Sequence, residues 1–131
     1  MARWLWTLVV AGIVSLSTPL LGHHSFAEYY IEEDTIEVEG EIREVQYKNP
    51  HSWIFVQAQD PFGRQKVYSA EWASVSRLER DGVTKRTLRQ GDWVRIWASA
   101  NRNPNDNRVR LKRIERPADR WKWGQNRGET R

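Results

Sequence analysis

The three histidines of the chain carry its most specific chemistry, and all of them lie in its first half. Cleavage before His23 would place His23 and His24 beside a free α-amine. An amine, backbone amides and imidazoles form the square-planar nitrogen set that Cu(II) favours, and imidazole binds zinc as well. With His51 as a third ligand, the sequence predicts a copper or zinc site at His23, His24 and His51. The alternative is that the adjacent pair is solvated and that His51 only ties its loop by hydrogen bonds.

Aromatic side chains are the second candidate for binding, since the chain contains 8 tryptophans. Trp93 and Trp97 alternate with Val94 and Ile96, which places the two indole rings on the strand face opposite the apolar side chains. Exposed tryptophans mark docking surfaces or ligand grooves unless another segment of the chain covers them. The predicted partner-binding set is Trp53, Trp72, Trp93, Trp97, Arg110, Lys112, Trp121 and Trp123.

The first 22 residues have the pattern of a secretory signal peptide. Arg3 supplies a positive charge, residues 5–16 are largely apolar, and Pro19 precedes a cleavage point after Gly22. Cleavage after Ala27 is a rival, and it would remove two histidines. The other alternative is that residues 4–21 remain as an anchor in the inner membrane. Either way we expect the folded part to be periplasmic or secreted.

Charge is distributed unevenly along the chain, although the formal net charge is only +4. Residues 23–60 contain 9 acidic and 2 basic side chains, whereas residues 101–131 contain 10 basic and 4 acidic ones. Basic residues interleaved with Trp121 and Trp123 are typical of nucleic-acid-binding segments. Because we expect export, we predict no nucleic-acid partner but an envelope protein or an anionic envelope surface. Packing of the basic part on the acidic part of the same molecule is the alternative.

Several enzyme classes are excluded by the residues that the sequence lacks. It contains no cysteine, which rules out disulfides, iron–sulfur clusters and thiol nucleophiles. It also contains no Gly-x-Ser-x-Gly elbow, phosphate loop, dinucleotide fingerprint or His-Glu-x-x-His pair. Glu71 is a single acid with no partner that the sequence identifies. We therefore expect a protein without catalytic activity.

Five strands and one short helix are predicted to position these side chains. Apolar and polar residues alternate from Ile36 onward, and the alternation changes phase near Arg43, which predicts a bulge. Ser74 or Ser76 is the expected N-cap of a helix that ends at Gly82. The other predicted strands are 52–58, 66–72, 93–99 and 109–114.

Three strands, a short helix and two strands follow the order of an OB-type barrel. A closed barrel suits a small chain, because each strand needs to bury only one face. The sequence thus predicts a mainly β protein, with a small five-stranded OB-like barrel over residues 23–116. A signal peptide, residues 1–22, precedes it, and a basic flexible tail, residues 117–131, follows it. The predicted interior is Ile36, Val38, Ile42, Val45, Ile54, Val56, Val67, Leu78, Val94, Ile96, Val109 and Leu111.

Four segments of the sequence resemble a family of small exported bacterial proteins that is classed only as a domain of unknown function. They are His23-His24-Ser25-Phe26, Asn49-Pro50-His51-Ser52-Trp53, Glu71-Trp72 and the run from Leu88 to Val94. The resemblance extends from about His23 to Ile114 and implies export and a small β-barrel. It implies no activity, so two hypotheses rest on the residues alone. The first is an exported binding or adaptor module, and the alternative is a periplasmic copper or zinc protein.

Overall fold

The structure is a computed structural model that describes residues 26–124, where two short helices and six strands are found. The helices are α1 (Phe26–Tyr29) and α2 (Val75–Arg80). The strands are β1 (Ile36–Gln46), β2 (Trp53–Gln59), β3 (Gln65–Glu71), β4 (Trp93–Ser99), β5 (Arg108–Arg116) and β6 (Trp121–Gly124).

The first five strands close into a barrel. They pair in the order β3-β2-β1-β4-β5, and β3 and β5 then pair in parallel, which joins the two edges of the sheet. The only helix between β3 and β4 within residues 26–124 is α2. The predicted five-stranded OB-like barrel with one helix between its third and fourth strands is therefore confirmed.

The barrel interior contains the apolar residues that alternate along the strands. Ile42, Ile54, Val56, Val94 and Ile96 are fully buried, and each contributes about 1.5–3 kcal/mol through burial of its side chain. The other buried hydrophobic residues of the core include Val38, Ala70, Leu78, Val109, Leu111 and Ile114.

The prediction is wrong for Val67, whose side chain is 46% exposed. On β3 the inward side chains are instead Tyr68, which packs against the core, and the buried Ala70. The run Val67-Tyr68 offers an apolar residue to either face, so the alternation alone left the phase of β3 open.

Two bulges shape the barrel. The register of β1 against β2 shifts between Ile42 and Glu44, as the change of phase predicted. In the pairing of β4 with β5, Trp97 lies opposite Arg113 and Ala98 opposite Leu111, so Lys112 is the extra residue. Such a bulge rotates the side chains that follow it relative to those before it. As a result Arg110, Lys112 and Arg113 all line the same cavity.

Part of the predicted tail is a strand, so the prediction of a flexible tail is wrong for residues 117–124. A turn over residues 117–120, with Arg120 at φ 60°, returns the chain to pair β6 with β5. Trp121 and Trp123 alternate and pack against the core, which supplies the apolar contact that holds β6 in place. Residues 125–131 lie outside the described residues.

The described chain begins at α1, so the predicted signal peptide, His23 and His24 lie outside the described residues. Tyr30 follows α1, is 1% exposed and forms an isolated bridge with Asn101. Residues 26–124 contain no helix that is both long and apolar enough to cross a membrane.

Candidate anion-binding groove

Helix α2 places two arginines at one end of the barrel. Ser74 is its N-cap, because its hydroxyl oxygen accepts a hydrogen bond from the backbone N–H of Arg77 at 3.3 Å. Leu78 is fully buried and anchors the helix on the barrel. Arg77 and Arg80 are three residues apart, so they lie on the same side of the helix, and both line the cavity described next.

A cavity of about 370 Å³ lies between α2, α1 and the barrel wall. Arg77, Arg80 and Arg110 bring positive charge to it, while Phe26 and Trp123 are among its aromatic lining residues. Trp72 also lines it, and within the described chain the buried Nε1–H of Trp72 has no hydrogen-bond partner.

A second cavity of about 710 Å³ continues from the first and shares Arg77, Arg110, Leu111 and Trp123 with it. Its further lining includes Trp97, Lys112, Arg113 and Ser99. The hydroxyl of Ser99 is buried and has no hydrogen-bond partner within residues 26–124. We call the two cavities together the basic groove. Of the described residues, five basic side chains line it, Arg77, Arg80, Arg110, Lys112 and Arg113, against the three acidic ones Glu32, Glu33 and Glu71.

An acidic segment of the same chain, residues 28–35, lies along one side of this groove and is here called the acidic strap. Arg110 forms an ion pair with Glu32 and stacks over Phe26, with 3.8 Å between the guanidinium carbon and the ring centroid. Lys112 donates hydrogen bonds to the carbonyl oxygen of Glu32 at 2.7 Å and to the hydroxyl of Thr35 at 2.6 Å. Basic residues of β5 therefore pack on acidic residues of their own molecule, as the charge distribution suggested.

A hydrogen-bonded cluster at the wall of the groove is centred on Glu71, which is 7% exposed. His51 Nδ1 is 2.6 Å from Oε1 of Glu71, and it is the donor because an ionised carboxylate only accepts. Tyr30 donates its hydroxyl to Oε2, and Arg108 donates to the same oxygen at 3.4 Å. Burial and the neighbouring Glu71 raise the pKa of Tyr30 well above its usual value, so this hydroxyl stays protonated.

The arrangement of barrel, strap and groove can be compared with known proteins. The model of a family of unknown function, DUF6152, matches residues 10–110. The chain belongs to this family. Neither a curated protein nor a solved structure matches the chain. The predicted resemblance to a family of unknown function is thus confirmed, and the function of this family member has to be argued from its own residues.

The predicted tryptophans of this family member do not form one continuous surface. Trp72, which belongs to the predicted partner-binding set, is 4% exposed and its ring belongs to the core. The chain turns inward after β3, and the indole ring of Trp72 packs edge-to-face on Trp123, with 5.4 Å between centroids. Trp97 and Trp123 line the groove, whereas Trp93 is 53% exposed and lines neither cavity.

The remaining predicted binding residues are divided between the groove and its surroundings. Arg110 and Lys112 line the groove. Trp53 is half-buried under the guanidinium of Arg108, and Trp121 is half-buried beside Arg116, with 4.7 and 5.7 Å between charge centre and ring centroid.

Of the three predicted metal ligands, only His51 is among the described residues. It is half-buried, and the Phe26 ring lies against its imidazole with 5.4 Å between centroids. Within residues 26–124 no group of three or more histidine, cysteine, aspartate or glutamate side chains is arranged to hold a metal ion.

The sequence did not single out Arg77, Arg80 or Tyr30. The spacing of the two arginines on a capped helix was a usable signal, but nothing local shows that the helix and β5 line the same cavity. Tyr30 meets Glu71 across 41 residues of chain, and no sequence pattern carries that contact.

Proposed function

We propose that this chain is an exported, non-catalytic binding module that holds an acidic segment of an envelope protein in the basic groove. The observation that carries the proposal is the groove itself, in which five basic side chains meet the rings of Trp97 and Trp123. A concave site with cationic and aromatic lining suits an acidic peptide, because arginine binds carboxylates in a fixed geometry and rings add contact area.

The acidic strap supports a polypeptide as the ligand. Arg110 is bound by a carboxylate of the strap, and Lys112 by a main-chain carbonyl and a hydroxyl. These are the groups that an acidic peptide presents, so a peptide from a partner would extend a recognition pattern that the molecule already uses. A lipid surface fits less well, because the two groove tryptophans are only half-exposed and recessed rather than projecting.

Export is supported by the signal-like sequence of residues 1–22. In the envelope, acidic proteins are accessible to such a groove and nucleic acids are not. Retention of residues 4–21 as an anchor would leave the groove in the same compartment.

The test uses the mature chain, residues 23–131, with hexaglutamate as the probe and tryptophan fluorescence as the signal. We expect saturable binding that weakens with added salt, because the contacts are ionic. The double variant Arg80→Gln/Arg113→Gln, with one change in each cavity, should bind about tenfold more weakly.

The matched control is Arg43→Gln/Arg89→Gln, which removes the same charge at exposed positions outside both cavities. Equal loss in both double variants would contradict the proposal, since it would reduce binding to net charge. Binding to anionic lipid vesicles without binding to hexaglutamate would contradict it as well.

A second candidate function, a periplasmic copper or zinc protein that uses His23, His24 and His51, is favoured by the surroundings of His51. The hydrogen bond from Nδ1 to Glu71 fixes the imidazole and leaves Nε2 as the atom that could bind a metal. Phe26 contacts the His51 ring, and His24 precedes Phe26 by two residues.

Calorimetry with Cu(II) and Zn(II) on a chain that begins at His23 tests this candidate. We expect uptake at one site, and we expect Glu71→Gln to weaken it by about 10- to 100-fold, because a carboxylate that orients a ligating histidine has effects of that size. Replacing His23, His24 and His51 together should abolish uptake. The absence of binding tighter than about micromolar would contradict a metal function.

A further inference from the structure

We infer that the smaller cavity is a pocket for a single oxyanion, a carboxylate or a phosphate, held by Trp72 Nε1 and the guanidinium of Arg80. This inference deepens the proposed function, on which it rests, by naming the chemical group that anchors the ligand. Trp72 and Arg80 both line this cavity, and their side-chain donors have no acceptor within the described chain.

Trp72 supplies the first of these donors. Its ring belongs to the core, and its Nε1–H is removed from water without gaining a protein acceptor within residues 26–124. Buried donors in folded proteins almost always have a partner, and Trp72 is one of the residues that line the cavity, so a small shift of the neighbouring side chains would let a ligand oxygen reach the unmatched N–H. An oxygen that carries negative charge is the strongest acceptor available to it.

Arg80 supplies the second. The side chain is exposed, and within the described chain it forms no hydrogen bond or ion pair. The carboxylate of the next residue, Asp81, already accepts from Arg77 at 3.2 Å and from Trp123 Nε1 at 2.9 Å. These hydrogen bonds, that of Trp123 first, lower the pKa of Asp81, and the nearby charges of Arg77 and Arg80 lower it further, so Arg80 acts on Asp81 through its charge and without a hydrogen bond. The guanidinium of Arg80 therefore keeps its donors for a ligand.

The remaining charges of the cavity favour an anion as well. Among residues 26–124, Glu71 is the only carboxylate that lines it, and Glu71 is already bonded to Tyr30, His51 and Arg108. Arg77 and Arg110 also line it and add positive potential. A volume of about 370 Å³ admits an acidic side chain or a phosphate monoester. A larger ligand would continue into the second cavity.

The indole N–H resonance of Trp72 reports directly on this pocket. The mature, ¹⁵N-labelled chain is titrated with N-acetylglutamate amide, with phenyl phosphate, and with N-acetylglutamine amide as the uncharged control. We expect a saturable shift of the Trp72 resonance with one or both anions and none with the amide. Comparison of the two anions distinguishes a carboxylate from a phosphate as the preferred group.

Arg80→Gln should weaken the anion-induced shift by about tenfold, since one charge-assisted contact is lost. Arg89→Gln, which removes an exposed arginine outside both cavities, should leave it unchanged. A Trp72 resonance that does not respond would overturn the inference, because the N–H would then be an internal feature of the Trp72–Trp123 pair. An equal response in wild type and Arg80→Gln would overturn it too.

The two experiments distinguish an error in the oxyanion pocket from an error in the proposed peptide ligand. If small anions leave Trp72 unaffected while hexaglutamate still binds in an Arg113-dependent manner, the oxyanion pocket is wrong and the groove stands. If the small anions shift Trp72 but hexaglutamate does not bind, the pocket is supported and the peptide ligand is wrong.

Discussion

Glu71 and Trp72 are neighbours in the sequence and are both buried, yet their polar atoms are in opposite situations. The carboxylate of Glu71 accepts hydrogen bonds from three side chains, those of Tyr30, His51 and Arg108. The indole N–H of Trp72 has no acceptor within residues 26–124. Both residues line the smaller cavity, so the difference lies in their partners and not in their position.

This difference separates structural polar groups from groups that are available to a ligand. A buried polar network whose members are all paired stabilises one arrangement of the chain. A buried donor that is left over contributes nothing to that arrangement, and its desolvation has to be compensated elsewhere. We therefore expect substitutions in the Glu71 cluster to affect stability, and substitutions around Trp72 and Arg80 to affect binding.

The largest effect is expected for Glu71→Ala, which removes the acceptor of all three donors. Loss of one partner from a fully buried ion pair costs about 3–5 kcal/mol. Here Arg108 and His51 reach solvent, with side chains 41% and 36% exposed, so we expect about 2–3 kcal/mol. Urea unfolding measures the loss, and Glu37→Ala, at an exposed carboxylate paired with Arg95, is the control that should change little. Equal losses in the two variants would contradict a special role for the cluster.

Tyr30→Phe is expected to have a smaller effect, because it removes a single hydrogen bond and keeps the ring. The loss in stability should be about 1–1.5 kcal/mol at neutral pH. Because the folded state raises the pKa of Tyr30, the hydroxyl stabilises the fold fully below pH ~10, the unfolded value, and less above it.

Denaturation midpoints measured from pH 8 to 11 test whether ionisation of Tyr30 destabilises the fold. The wild type should lose stability above about pH 10, and part of that loss should be missing in Tyr30→Phe. A variant that follows the wild type in parallel over this range would show that the fold does not raise the pKa of Tyr30.

The barrel could be predicted from the sequence, because its strands alternate apolar and polar residues and its turns contain glycine, proline and aspartate. The bulge near Arg43 was predictable as a change of phase in that alternation. Strand β6 was missed because the composition of residues 117–131 is polar, and the short alternation of Trp121 and Trp123 was given less weight than the charges around it. Pattern arguments are weakest for a strand of this length.

The candidate site was predictable only in part, since it depends on contacts between distant segments. Arg110, Lys112, Trp97 and Trp123 were identified because they are basic or aromatic on predicted strands or beside them. The cluster around Glu71 joins residues that are 20 to 41 positions apart, and the groove joins α2 to β5. Such contacts follow from closure of the barrel, which composition and periodicity do not specify.

A third variant extends the comparison to a paired carboxylate remote from the groove. Asp60 is buried in the β2–β3 turn and accepts from the backbone N–H groups of Phe62 and Arg64, each at 2.9 Å, and from the Arg64 guanidinium. Burial raises its pKa, but these hydrogen bonds outweigh it and lower the pKa of Asp60 to about 2.

Because the folded pKa lies below the unfolded one, the ionised Asp60 stabilises the fold above about pH 4 and this contribution disappears as the pH falls toward 2. We expect Asp60→Asn to be less stable than the wild type at pH 7 and to approach it at about pH 2. Thermal unfolding from pH 2 to 7 measures the difference. A difference in stability between the wild type and Asp60→Asn that stays constant with pH would mean that the charge of Asp60 is not involved.

The smallest effect on stability is expected for Arg80→Gln, although its effect on binding is expected to be large. Its guanidinium makes no hydrogen bond or ion pair within the described chain, so the free energy of unfolding should change by less than about 0.5 kcal/mol. Glu71→Ala is thus expected to affect folding, whereas Arg80→Gln is expected to affect oxyanion binding. A clear loss of stability in Arg80→Gln would mean that the arginine serves the fold, and that the contrast between Glu71 and Trp72 does not separate structure from recognition.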